Sequence, residues 1–318
     1  MGKNSARPAP RPGMAHSIFS GPFRSWCDIV YQERSRHKET LFMDMTPFRV
    51  DEARCRKDGI CARVCPVRII KGAAGELPSM RKEFVKRCIG CGQCMAFCPT
   101  QACAAPGQMY EDMRLLRKDL YPSPEQVEEF VFARRTIRTF REKPVPRELL
   151  TRILDAVRFA PTGHNRQNLR WIVLESREET LALVKLVIDW LIVLPDIDPD
   201  LAANIRASGF VRAWDQGLDI ITRGAPQVAI LAGPNVELEQ YDAGSALTYL
   251  EILAQSHGIG CCWGGYLSRA FAHPGATAIR EYLDVKPDEK LYSAQMLGYP
   301  RFTAVSRPPR KPLRVTWK

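Results

Sequence analysis

The stretch Cys88 to Pro99, CIGCGQCMAFCP, constrains this chain more than any other. Its cysteines stand at 88, 91, 94 and 98, with Pro99 directly after the last. The first three thiolates are close enough in sequence to grip one iron-sulfur cube, and Gly90 and Gly92 let the backbone approach it without a Cβ in the way. A fourth cysteine beyond those three leaves room for a partner run. Cys55 to Pro66, CRKDGICARVCP, supplies one.

Together the two runs resemble those of two-cluster, bacterial-type ferredoxins, in which the last cysteine of each run ligates the other run's cluster. Crossed in that way, one cluster takes Cys88, Cys91, Cys94 and Cys65, and the other takes Cys55, Cys61 and Cys98. Asp58 stands where the earlier run lacks a cysteine. A carboxylate is a harder, weaker ligand for iron than thiolate. Ferredoxins that look like this hold either an oxygen-ligated 4Fe-4S or a 3Fe-4S cluster, whereas the plain structural role for Asp58 is a turn residue ahead of Gly59. Zinc also binds closely spaced cysteine pairs, but its pairs are normally separated by about a dozen residues or more, and the overlapping runs with their two prolines oppose it.

Nine of the 11 cysteines lie between Cys27 and Cys103, and no secretory apolar region opens the chain. A disulfide framework is therefore not expected, and thiolate-bound clusters point to a reducing compartment, the cytoplasm. The longest apolar stretch, Leu181 to Leu194, is interrupted by Lys185 and Asp189 and is too short to cross a bilayer. A net charge of +11 first suggests nucleic acid, but its distribution argues otherwise. Residues 46–110 carry 11 basic and 5 acidic side chains, against 28 and 26 in the longer stretch 111–318. A basic shell around anionic clusters accounts for that excess, and no helix-turn-helix or basic-aromatic pattern revives a nucleic-acid role.

The chain divides into a Pro- and Arg-rich tail over 1–45, read as disordered or loosely attached, a cluster-bearing domain over 46–110, a charged linker over 111–122 and a larger domain over 123–318. Ser123-Pro124-Glu125-Gln126 signals a helix start, and Leu149, Leu150, Ile153, Leu154 and Val157 keep a helical period after Pro146. Val228 to Ala232 reads as a core strand and Asp242 to His257 as a buried helix ending at Gly258. Cys103, Cys261 and Cys262 read as small packing residues rather than ligands or redox thiols. Arg134, Arg135 and Arg138 bunch around Thr136, a cluster that is either a solvated face or a phosphate grip.

Arg134 to Arg138 (RRTIR), APTGHNRQ at 160–167, CCWGG at 261–265 and LGYP at 297–300 come in the order of the nitroreductase family, which residues 123–318 resemble. With the cluster domain in front, the chain is similar to ferredoxin-nitroreductase fusions. The resemblance implies an α+β sandwich with a mostly antiparallel sheet, FMN bound at a homodimer interface, and electrons passed between the iron-sulfur clusters, FMN and a small electron-poor acceptor such as a nitroaromatic or quinone. It places Arg134, Arg135, Thr136, Arg138 and Arg310 on the FMN phosphate and ribityl chain. Pro161, Thr162, Gly163, Asn165 and Gln167 would line the flavin, some of them from the neighbouring subunit. Trp263, Gly264 and Gly265 would lie along its ring edge. The family's usual Pro-Trp after the glutamine is replaced by Asn168-Leu169-Arg170-Trp171, which leaves the substrate-facing wall open. No catalytic acid stands out. The electron donor is either ferredoxin or NAD(P)H. Two other readings are kept: an NAD(P)H-fed nitroreductase with non-catalytic clusters, and a zinc-bearing interaction module without flavin chemistry.

Overall fold

The computed structural model describes residues 47–318, so the tail expected over 1–45 lies outside the described residues. The chain falls into two compact units that part between Met113 and Arg114. That boundary lies within 111–122, a stretch bordered and interrupted by short 3-10 turns at Tyr110–Asp112 and Lys118–Leu120.

The first unit has two antiparallel strand pairs: β1 (Arg49–Val50) with β4 (Cys103–Ala104), and β2 (Ile70–Lys71) with β3 (Ser79–Met80). Two short helices, α1 (Ile60–Val64) and α2 (Gln93–Ala96), each follow a glycine in the left-handed region, Gly59 at φ 69° and Gly92 at φ 67°. At Gly59 that conformation coincides with close approach, since an added Cβ would stand 3.3 Å from the backbone of Gly72, Ala73 and Ala74. The two helices pack together, and cysteines replace the usual aliphatic core. Cys61, Cys65, Cys94 and Cys103 are buried among Ile69, Ile70 and Met95.

The second unit is built on a four-stranded, fully antiparallel sheet, ordered β5 (Arg170–Leu174), β6 (Gln227–Pro234), β8 (Glu289–Gly298), β7 (Gly260–Trp263). Its central strand β6 is buried from Gln227 to Gly233 and splits its side chains by the two-residue strand period. Val228, Ile230 and Ala232 enter one core, and Ala229 and Leu231 enter the other. The first core takes the long helix α5 (Arg177–Ile197) through Leu183, Val187, Leu191 and Leu194, with α6 (Pro199–Ile205), α7 (Ala207–Asp215) and α9 (Gly265–Ala272) beside it. The second takes α4 (Arg147–Val157) and α8 (Glu239–Ser256). Helices on both faces of a mainly antiparallel sheet make the α+β sandwich. Truncating a fully buried residue such as Leu191 to Ala would cost about 2–5 kcal/mol.

Local sequence explains where the helices start. Ser123 opens α3 (Pro124–Ala133) with a capping box, its Oγ accepting from Gln126 N at 3.3 Å while Gln126 Oε1 accepts from Ser123 N at 2.8 Å. Ser176 and Glu179 repeat the device for α5, each box contributing about 1 kcal/mol. Among the described residues no helix is long and apolar enough to cross a membrane.

Candidate metal sites and candidate cofactor cavity

The two cysteine runs close around two cavities. Cys65, Cys88, Cys91 and Cys94 line one, and Cys55, Asp58, Cys61 and Cys98 line the other, so the runs cross as the resemblance implies. None of these cysteines is in a disulfide. Among the described residues no group of three or more His, Cys, Asp or Glu converges on a single metal ion, whereas a cube holds its thiolates apart by its own width. Backbone amides already point at the sulfurs: Lys57 N reaches Cys55 Sγ at 3.4 Å, Gly90 N reaches Cys88 Sγ at 3.4 Å, and Ala102 N reaches Cys98 Sγ at 3.2 Å. Such donors stabilise thiolate charge, so the donor set fits an iron-sulfur cluster in each cavity.

Asp58 lines its cavity, and its Oδ1 also accepts from Ile60 N at 3.0 Å, a turn contact at the start of α1. The sulfur of Cys103, 2% exposed, donates to the Cys94 carbonyl at 3.0 Å. The Cys61 thiol is drawn down to about 7, chiefly by the neighbouring Cys103 thiol and against the effect of burial. Sequence reasoning set Cys103 aside because it falls outside both runs. Only the pairing of β1 with β4 brings it to the clustered thiols.

In the second unit, residues 134–140 run alongside the edge strand β7. Ile137 N donates to Cys261 O at 2.9 Å, and Thr136 bridges Cys261 in parallel. This arm, the end of β7 and the start of α9 enclose a cavity of about 510 Å³, within the usual range for small-molecule sites of roughly 300–1,000 Å³. Arg134, Thr136 and Arg138 line it, together with Trp263 and Gly265. Arg134 is tied to Glu251 at 2.8 Å. Arg138 and Arg223 carry no ion pair among the described residues, so the cavity wall keeps two guanidinium groups able to meet an anion. The first turn of α9 adds backbone N–H groups at the same wall through Gly265 and Tyr266. A basic wall beside an exposed indole suits a phosphate joined to a flat ring, and these residues fit FMN. Burial raises the thiols of Cys261 and Cys262, which is the behaviour of packing residues.

The structure gathers some of the expected FMN residues and not others. Arg135 turns out of the cavity, its guanidinium donating to the Phe132 carbonyl. Gly264 does not line the cavity, and a Cβ added to it would stand 2.9 Å from Leu267. Arg310 is in the exposed segment 301–318 and does not line the cavity. Arg223, in a left-handed turn at φ 59°, was missed; its Arg-Gly pair was the available signal.

Pro161, Thr162, Gly163, Asn165 and Gln167 form a separate loop on the other end of α8. Gly163 N donates to Asp242 Oδ1 at 2.9 Å, Gln167 N donates to Thr162 Oγ1 at 3.3 Å, and Arg166 faces Glu239 at 3.5 Å. Asp242 precedes the cavity residue Glu251 by nine positions on this helix, or roughly 13 Å of rise. The loop holds an unsatisfied polar cluster: Nε and Nη2 of Arg166, Oε2 of Glu239 and Oδ2 of Asp242 are buried without a partner. Burial raises the Glu239 carboxyl above its ordinary range, with Arg166 opposing and Asp242 reinforcing the shift.

A family description, the nitroreductase family, matches residues 131–299, and a 4Fe-4S dicluster domain matches residues 48–99. The chain belongs to the nitroreductase family, with a dicluster domain ahead of the family domain. Among solved structures, it is similar to a nitroreductase with bound FMN from Bacteroides fragilis at 20% identity and a TM-score of 0.50, covering 60% of this chain and 99% of that one. A nitroreductase with bound FMN from Desulfitobacterium hafniense gives 22% identity and a TM-score of 0.48, covering 60% of this chain and 97% of that one. At 20% identity the likeness to the Bacteroides fragilis structure is one of fold. No curated protein matches the chain.

Proposed function

We propose that this protein is an FMN-dependent oxidoreductase in which electrons pass through two iron-sulfur clusters to FMN and on to a small electron-poor acceptor. The observation that carries the reading is the basic cavity of Arg134, Thr136, Arg138 and Arg223 beside Trp263, in a chain that also crosses two cysteine runs into two thiol-lined cavities. Arg138 and Arg223 would hold the phosphate, the α9 N-terminus would add backbone donors, and Trp263 would face the flat ring system. When bound there, FMN supplies hydride or single-electron transfer. The clusters supply one-electron steps, one held by Cys65, Cys88, Cys91 and Cys94, the other by Cys55, Cys61 and Cys98 with Asp58 facing it.

The site is completed by a second copy of the chain. Pro161, Thr162, Gly163, Asn165 and Gln167 sit at the far end of α8 from the cavity, and α8 exposes Tyr241, Thr248 and Tyr249. Packing two copies along that face would bring the loop of one to the flavin of the other. The reading places the protein in the cytoplasm, where its thiolates stay reduced.

The test is anaerobic reduction of the purified protein, followed at the flavin and cluster absorbances, by reduced ferredoxin and separately by NAD(P)H. Faster reduction by ferredoxin supports entry through the clusters. Reduction by NAD(P)H that is unaffected by loss of the clusters supports the NAD(P)H-fed alternative. A colourless protein holding zinc would reject both.

A further inference from the structure

We propose that Cys103 supplies the fourth thiolate of the cluster site formed by Cys55, Cys61 and Cys98, so that this site holds a four-iron cluster although its run lacks a cysteine at Asp58. The inference rests on the reading of the two thiol-lined cavities as iron-sulfur sites.

The two halves of the first unit provide an internal comparison. Ile70 stands five residues after Cys65, and Cys103 five residues after Cys98. Each is the first residue of a two-residue strand, β2 and β4, and each lines one cavity. In the cavity with four run cysteines this wall position is the apolar Ile70. In the cavity with three, it is a thiol. The cysteine missing from one place in the run is thus matched by an additional cysteine on the wall of the same cavity, 2% exposed, beside Cys55, Cys61 and Cys98.

Asp58 has a structural task instead. Its Oδ1 accepts from Ile60 N and fixes the turn into α1, where an acidic side chain also complements the positive end of the helix. Iron in a sulfide cluster favours soft thiolate over carboxylate, which makes Cys103 the better of the two available ligands. On ligation the Cys103 S–H bond breaks, its electron pair forms the Fe–S bond, and the proton leaves to water. No electron is transferred.

The experiment compares the wild-type full chain with Cys103→Ile, Cys103→Ala and Asp58→Asn, all purified anaerobically, by iron and sulfide analysis and low-temperature EPR. Isoleucine is chosen because the matching position already carries it. The neighbouring cluster's reduced EPR signal reports that the unit has folded. The expected result is a fall from about eight to about seven irons per chain with a 3Fe-4S signal in the Cys103 variants, and a wild-type count in Asp58→Asn. Cys103 variants with a full iron count overturn the proposal, and so does a three-iron signal produced by Asp58→Asn alone. A wild type without iron overturns it together with the iron-sulfur reading, and the two failures are distinguishable.

Discussion

Gly260 lies so close to Ile137 that a Cβ built on it would stand 2.6 Å from the Ile137 Cγ1 atom. This contact lets the basic arm lie flat along the edge of the sheet, where Ile137 N bonds Cys261 O. Gly260→Ala should therefore push the arm off β7, cost about 1–3 kcal/mol through overpacking, and lower FMN retention. FMN content and thermal melting of the variant check this, and unchanged cluster EPR confirms that the first unit is untouched. A variant with full FMN and a wild-type melting temperature would reject the arm as the cavity wall.

Arg138 and Arg223 are the guanidinium groups on the cavity wall without an ion pair among the described residues, whereas Arg134 is already bound to Glu251. Replacing either Arg138 or Arg223 by Ala should weaken FMN binding by about tenfold or more, because charge-assisted hydrogen bonds contribute roughly 1.5–3 kcal/mol each. Arg135→Ala, which turns away to the Phe132 carbonyl, should have a smaller effect. Titration of the apoprotein with FMN measures all three. An Arg135 effect as large as the other two would show that the arm rearranges on binding.

Gly244 on α8 offers a direct probe of the second copy. An added Cβ there meets nothing within 4 Å, so a large side chain should not disturb the single chain. Gly244→Arg should nonetheless turn a particle of twice the chain mass into single chains and reduce FMN retention with it. Light scattering after size exclusion reads the mass. A variant that stays dimeric would place the interface elsewhere.

Arg170 on β5 grips Glu289 on β8 through two bonds of 2.7 Å. The Arg170 hydrogen bonds hold the Glu289 carboxyl at about 2, below its ordinary 4.5. A depressed carboxylate adds stability that is fully present above its unfolded pKa and lost as pH falls through the folded one. Glu289→Gln should thus be less stable than wild type near neutral pH, and the gap should close between pH 4.5 and about 2. Tryptophan fluorescence follows this in the second unit, which contains Trp171, Trp190, Trp214, Trp263 and Trp317. A gap that stays constant across that window would exclude the pair as its source.

The sequence by itself determined the features that depend on near neighbours in the chain. The cysteine runs and their two prolines were legible in the sequence, and the resemblance they carry allocated Cys65 to the later run's cavity and Cys98 to the earlier run's. The capping box at Ser123 and the helical period from Leu149 to Val157 rest on interactions within one or two turns. The basic arm was legible as a cluster, but which arginines face the cavity was not. Arg135 is separated from Arg134 only by side-chain direction, and Arg223 comes from a turn 85 residues beyond Arg138. Only the tertiary structure decided that the 160s loop binds one end of α8 while the cavity occupies the other. Likewise it decided that Cys103 shares a cavity with Cys55, Cys61 and Cys98. The 160s loop and α8 are distant in sequence, and such a contact leaves no local pattern to read, whereas Cys103 stands five residues after Cys98 and only strand pairing shows which cavity wall it occupies.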